Sequence, residues 1–167
     1  MNDPSTAETT LLSLLDRARQ AALHAYAPYS SFRVGAALRL SNGEIVTGVN
    51  VENASFGLTI CAERSALVRA VSQFGPEVRI EAVAVANLNS VPSPPCGACR
   101  QMLSEFILPD ALVIFPATGS DRTMSFAELL PLAFEPGSLV TGLSRRGGEP
   151  GSLVTGLGRR GGEPKLK

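Results

Sequence analysis

The sequence contains no tryptophan and only two tyrosines and seven phenylalanines among its 167 residues, and its formal net charge is zero. So few rings offer little platform for stacking successive bases, which a single-stranded nucleic-acid partner would use. Charge points the same way. Residues 135–167 hold six of the 15 basic groups and three of the 15 acidic ones, which leaves 9 basic against 12 acidic groups in residues 1–134. A body with that acidic excess has no basic stripe to neutralise phosphates, so a small neutral substrate is the easier fit and nucleic acid is not expected as a partner. Also lacking is any run of about 18 apolar residues, the length of a membrane helix. Met1–Thr10 is polar with acids, unlike a signal peptide. No membrane association is expected, and a cytoplasmic location is.

Cysteine is scarce, with three residues, and histidine scarcer, with His24 alone. An odd number of thiols without an export signal argues against a disulfide framework and toward metal binding or catalysis. His24, near the end of a predicted first helix and distant from the cysteines, reads as a helix C-terminal cap or a surface residue and not as a fourth ligand.

What is present is a chain of one-domain size with 44% hydrophobic residues, enough for a single core. Leu11, Leu14, Leu15, Ala18, Ala22 and Tyr26 recur at helical spacing over 10–26, and Pro28 stops the pattern. Residues 32–40 and 44–49 read as two strands joined by a Ser41-Asn42-Gly43 turn. A helix is predicted over 61–74, closed by Gly75-Pro76, then a strand over 80–88, a stiff proline loop at 92–95, a helix over 96–106, a strand over 111–115 and a short helix over 125–132. This order predicts an α/β fold, a mixed sheet covered by helices in an α/β/α sandwich. Residues 135–148 recur almost unchanged as 149–162, with Gly158 in place of Ser144. Gly-rich, with Pro and Arg, these copies can bury little, so the expected division is a catalytic domain at 1–134 and a disordered or loosely attached basic tail at 135–167.

All three cysteines fall in two clusters, Ile60-Cys61-Ala62-Glu63-Arg64 and Pro95-Cys96-Gly97-Ala98-Cys99-Arg100-Gln101, each at a predicted helix start. A thiol there meets the positive end of the helix dipole, which favours the thiolate that zinc requires. Cys96 and Cys99 share a helix face. With Cys61 they make three protein ligands, and three plus one open position for water is the pattern of a catalytic zinc site. Zinc brings the pKa of such water to roughly 7, and Glu63, two residues past Cys61, is placed to move its proton. Three thiolates leave the site with excess negative charge, for which Arg64 and the two helix N-termini are the candidate counterweight.

The pattern Cys-Ala-Glu … Pro-Cys-Gly-Ala-Cys resembles the zinc deaminase signature H-x-E…P-C-x-x-C, with Cys61 in the histidine position. More specifically, residues 25–37, 48–54, 60–64 and 95–101 together are similar to the small homotetrameric zinc-dependent cytidine deaminases, over about residue 10 to Phe134. That resemblance implies hydrolytic deamination of cytidine and deoxycytidine to uridine and deoxyuridine, a step of pyrimidine salvage. A zinc-bound hydroxide would attack C4 while Glu63 shuttles protons among the water, ring N3 and the departing ammonia. It implies zinc on Cys61, Cys96 and Cys99, ribose hydroxyls on Asn50 and Glu52, Phe32 against the pyrimidine, and the Ala62 backbone N–H on the ring carbonyl. It further implies a homotetramer in which Phe134 closes over the base in a neighbouring subunit.

Arg33 departs from the family, which often has proline there, and the repeat tail has no counterpart in its pattern. Three structural thiols, an ordinary first-turn acid at Glu63, strand-end polar groups at Asn50 and Glu52, a core phenylalanine at Phe32 and a surface arginine at Arg64 are the bland alternatives. Rival functions are a deaminase of an aminoacylnucleoside antibiotic, a nucleic-acid editing deaminase, a non-catalytic zinc module, and a thiol redox protein using Cys96 and Cys99.

Overall fold

A computed structural model describes residues 4–135, with side chains from residue 9. The repeat copies, apart from Glu135, lie outside the described residues. The chain runs α1 (Pro4–Ala22), β1 (Val34–Leu40), β2 (Ile45–Val49), a short 3₁₀ turn (Phe56–Leu58), α2 (Ala62–Phe74), β3 (Ile80–Asn87), α3 (Gly97–Leu103), β4 (Ile107–Pro116), β5 (Asp121–Ser125) and α4 (Phe126–Leu129).

The strands form one sheet in the order β2-β1-β3-β4-β5, with β3 and β4 parallel and the other pairs antiparallel. Alternation along the strands supplies two buried faces. On β3, Ala82, Ala84 and Ala86 join Ala37 of β1 under Leu11, Leu14, Leu15 and Ala18 of α1, while Val83 and Val85 pack with Ala36, Leu38 and Leu40 against Ala66, Leu67 and Ala70 of α2. Leu103 of α3 and Phe126 and Leu129 of α4 complete that second layer. The α/β/α sandwich with a mixed sheet is the architecture observed. Leu15 is fully buried, and truncating it to alanine would cost about 2–5 kcal/mol.

Two glycines let helices approach the sheet closely. A Cβ on Gly35 would lie 2.0 Å from the Ala18 carbonyl oxygen, and one on Gly48 would lie 2.3 Å from the Ala66 nitrogen and 2.5 Å from the Ala62 carbonyl oxygen. The second contact sets the start of α2 against the end of β2.

Several boundaries differ from the periodicity. The first helix begins at Pro4 and ends at Ala22 rather than spanning 10–26, because the backbone of Leu23 and His24 turns back onto Gln20 and Ala21 and Tyr26 pairs with Val51. The strand expected from residue 32 starts at Val34, since the backbone at Phe32 is bonded to side chains. Helix α3 stops at Leu103, and β4 starts four residues before Ala111, where Ile107 pairs with Ile80. The last helix is one turn, opened by a Ser125–Glu128 capping box. Strand β5 escapes the pattern because Asp121-Arg-Thr-Met-Ser is an edge strand with little to bury.

Candidate active site

Cys61 and Cys96 occupy the N-cap positions of α2 and α3, both with extended backbone and neither making a side-chain cap hydrogen bond. The first-turn N–H groups of both helices therefore keep their field directed into the space between them. Cys99 follows on the first turn of α3 and is fully buried. The Cys61 and Cys96 sulfurs are 3.9 Å apart, those of Cys96 and Cys99 3.4 Å, and all three lie within 4.8 Å of one another. A tetrahedral centre with sulfur ligands at about 2.3 Å spaces them about 3.8 Å apart, so this donor set fits zinc. Among the described residues it is the one cluster of three or more Cys, His, Asp or Glu able to hold a metal ion.

The electrostatics of the cluster are uneven. The Cys61 thiol is brought down to about 5, first by the hydrogen bond from Cys99 and then by the Arg64 guanidinium. Cys99 is raised by that same bond and by burial. Arg64 Nη2 donates to Cys61 Sγ at 3.7 Å and to the Thr59 carbonyl at 2.9 Å. Glu63 is only 4% exposed, and burial pushes its carboxyl above the ordinary carboxylate range.

Glu63, Cys61, Cys96 and Ala62 share a cavity of about 260 Å³ with Phe32, Asn50 and Glu52. Ala62, the first residue of α2, has a backbone N–H with no acceptor inside its helix. Asn50 is buried at the end of β2, where its amide donates to the Phe32 carbonyl at 2.8 Å and accepts from the Val34 N–H at 2.8 Å. One of its N–H bonds stays available toward the cavity. Glu52 accepts from the Tyr29 and Ser30 backbone N–H groups and from the Ser30 hydroxyl, which hold its carboxyl below the usual range, the hydroxyl most. These contacts tie Glu52 to the 29–32 segment, whose Phe32 lines the cavity.

The structure thus brings together every residue predicted for the site except Phe134. That residue is exposed and outside the cavity, with its backbone N–H and C=O both bonded to the Gln101 side-chain amide at 3.1 and 2.8 Å. His24 is exposed beyond α1. Residues that the sequence reading missed are Ser30, Gln101, Asn87 and Asn89, all short polar groups acting on neighbouring backbone, a use that residue type alone does not distinguish from an ordinary turn. Two larger clefts, of about 430 and 340 Å³, lie by β5 and beside α1. Neither contains any of the three cysteines. No described helix is long and apolar enough to cross a membrane.

Comparison with known proteins gives a consistent result. Residues 8–115 match the family described as the cytidine and deoxycytidylate deaminase zinc-binding region. The cytidine deaminase of Halalkalibacterium halodurans is 46% identical over 122 residues, 72% of this chain and 91% of that protein. The crystal structure of cytidine deaminase from Burkholderia pseudomallei superposes with a TM-score of 0.66 at 44% identity, covering 74% of this chain and 98% of that one. That of the Mycobacterium tuberculosis enzyme gives 0.65 at 40% identity, covering 74% and 96%.

Proposed function

Because this chain belongs to the cytidine and deoxycytidylate deaminase family, we propose that it catalyses the hydrolytic deamination of cytidine and deoxycytidine, giving uridine or deoxyuridine and ammonia. The observation that carries this reading is the shared cavity: Cys61 and Cys96 at two helix starts with the Cys99 sulfur within 4.8 Å of theirs, and Glu63, Asn50 and Glu52 in the same lining. Such a cavity holds a reacting ring near the sulfurs and a sugar near the amide and carboxylate.

Cys61, Cys96 and Cys99 hold the zinc ion, whose chemistry in such a setting is to acidify water to a pKa of roughly 7. Arg64, donating to Cys61, offsets the excess charge of three thiolates. Glu63 accepts the proton of the attacking water and delivers it to ring N3, which leaves C4 open to the new C–O bond. It then carries the remaining proton, from the new C4 hydroxyl, to the exocyclic nitrogen as the C4–N bond breaks, the C4 carbonyl forms and ammonia leaves. Burial suits the carboxyl to both halves of that exchange by lifting it toward neutrality. The Ala62 N–H binds the ring carbonyl, Phe32 packs on the pyrimidine face, and Asn50 and Glu52 bond the ribose hydroxyls with the valences their loop contacts leave. Asn50 does so as a donor, Glu52 as an acceptor.

The chain assembles as a homotetramer in which Phe134 of one subunit closes a neighbour's cavity, and it works in the cytoplasm. Exposed apolar side chains between β2 and α2, Val51, Phe56, Leu58 and Ile60, support assembly, Phe56 being 78% exposed in the single chain. The residue assignments at 1–134 make that segment the catalytic domain, with 135–167 as an appended basic tail.

The test is loss of the cytidine absorbance band with purified protein, beside Glu63→Gln. Wild-type turnover is expected, with kcat lowered about 10²–10⁴-fold in a variant that keeps its zinc. Zinc-loaded wild-type protein inert toward cytidine would overturn the reading.

A further inference from the structure

Phe32 lies between two asparagine side chains that grip its backbone from alternate residues. Asn50 binds the Phe32 carbonyl and the Val34 N–H. Asn89, from the loop after β3, donates to the Ser31 carbonyl at 3.2 Å and accepts from the Arg33 N–H at 3.1 Å. The two amides between them hold one backbone polar group from each of the four consecutive residues 31–34, on both sides of Phe32 in sequence. The Phe32 N–H itself donates to Ser30 Oγ at 3.0 Å.

Asn89 is in turn set by Asn87, whose side-chain oxygen accepts from the Asn89 N–H at 2.8 Å and whose amide donates to the Val91 carbonyl and Ser93 Oγ, both at 2.7 Å. Ser93 lines the same cavity as Phe32. Both backbones meeting at Asn89 carry a non-glycine residue in the left-handed region, Ser31 at φ 59° and Ser90 at φ 54°. Such residues are uncommon and persist where surrounding contacts over-determine them. Asn89 supplies contacts of that kind, and it is exposed, with no place in the buried core.

We propose that Asn89, set by Asn87, is a positioning residue that fixes Phe32 against the pyrimidine and couples it to the Ser93 wall of the cavity. The proposal rests on the reading of Phe32 as the base platform. Asn89 touches no substrate, so its effect belongs to binding and not to proton transfer.

The experiment measures KM, kcat and bound zinc for Asn89→Ala, Phe32→Ala, the double variant and Asn89→Asp. Asn89→Ala is expected to raise KM about fivefold, the scale of a lost hydrogen bond, at unchanged kcat and zinc. Asn89→Asp keeps the acceptor for Arg33 and loses the donor to Ser31, so its KM falls between. The double variant should bind no worse than Phe32→Ala alone, since Asn89 acts through the ring. An unchanged KM in Phe32→Ala would remove the platform and the proposal with it. A raised KM there, with wild-type KM in Asn89→Ala or with additive losses in the double variant, would overturn the role of Asn89 and leave the platform standing.

Discussion

Arg64 stands one helical turn beyond Cys61 and reaches back so that its guanidinium donates to the cysteine sulfur at 3.7 Å while also holding the Thr59 carbonyl at 2.9 Å. A fixed cation beside one of three sulfurs lowers the cost of gathering three negative charges, and partners of this kind typically change metal affinity or activity about 10–100-fold. Arg64→Ala should therefore lose zinc to a chelator more readily and turn over about tenfold more slowly. Metal content after dialysis and kcat together decide it. Wild-type values for both would end the role.

Removing the metal should expose an order among the thiols. Cys61, half-buried and lowered to about 5, is a thiolate at neutral pH, whereas Cys99 is raised and fully buried. Nucleophilic attack follows the thiolate. Alkylation of metal-free protein at pH 7, read by peptide mass spectrometry, is expected to label Cys61 well before Cys99. Equal labelling would show that the Cys99 hydrogen bond and the Arg64 contact do not set the thiol's acidity.

The Glu52 carboxyl is held below its ordinary value of 4.5, by the Ser30 hydroxyl above all. A depressed carboxyl contributes its bonds fully above the ordinary value and loses them as pH falls through the folded one. KM for cytidine should thus stay level down to about pH 4.5 and rise only below it. In Ser30→Ala the rise should begin at higher pH. Superposable KM profiles for the two proteins would separate Glu52 from sugar binding.

The backbone of Phe134 is held by the Gln101 amide two residues past Cys99, and the residue is 57% exposed. If that ring covers a neighbour's base, Phe134→Ala should raise KM by about tenfold, in keeping with the loss of a buried aromatic contact, at unchanged zinc and subunit number. Size-exclusion chromatography with light scattering supplies the subunit count. An unchanged KM would place the ring outside the working cavity.

Much of this was legible because zinc chemistry constrains residue type and spacing together. Cys61-Ala-Glu63 and Cys96-Gly-Ala-Cys99 carry their geometry in their numbering, and both helix starts fall where the cysteines predicted them. Fold class was legible for a similar reason: the Val and Ala alternation on β3 is a two-faced strand written in side-chain size. Boundaries were less so. Tyr26 continues the helical period of α1, yet its N–H goes to the Asn50 carbonyl and its C=O receives the Glu52 N–H, so tertiary pairing overrides local pattern. Ser30, Asn87 and Asn89 were illegible because their partners, backbone atoms and the side chains of Glu52 and Ser93, are ones that spacing does not reveal.

Gly48 acts as a gauge block. Asn50 and Glu52 leave the sheet just after it, and Ala62 and Glu63 face them from a helix that touches it backbone to backbone. Any larger residue would wedge the two apart and lengthen the distance from Asn50 and Glu52 to Ala62 and Glu63. The span of the cavity between strand end and helix start thus depends on a single hydrogen atom, since a Cβ at Gly48 would run into the backbone of Ala62 and Ala66.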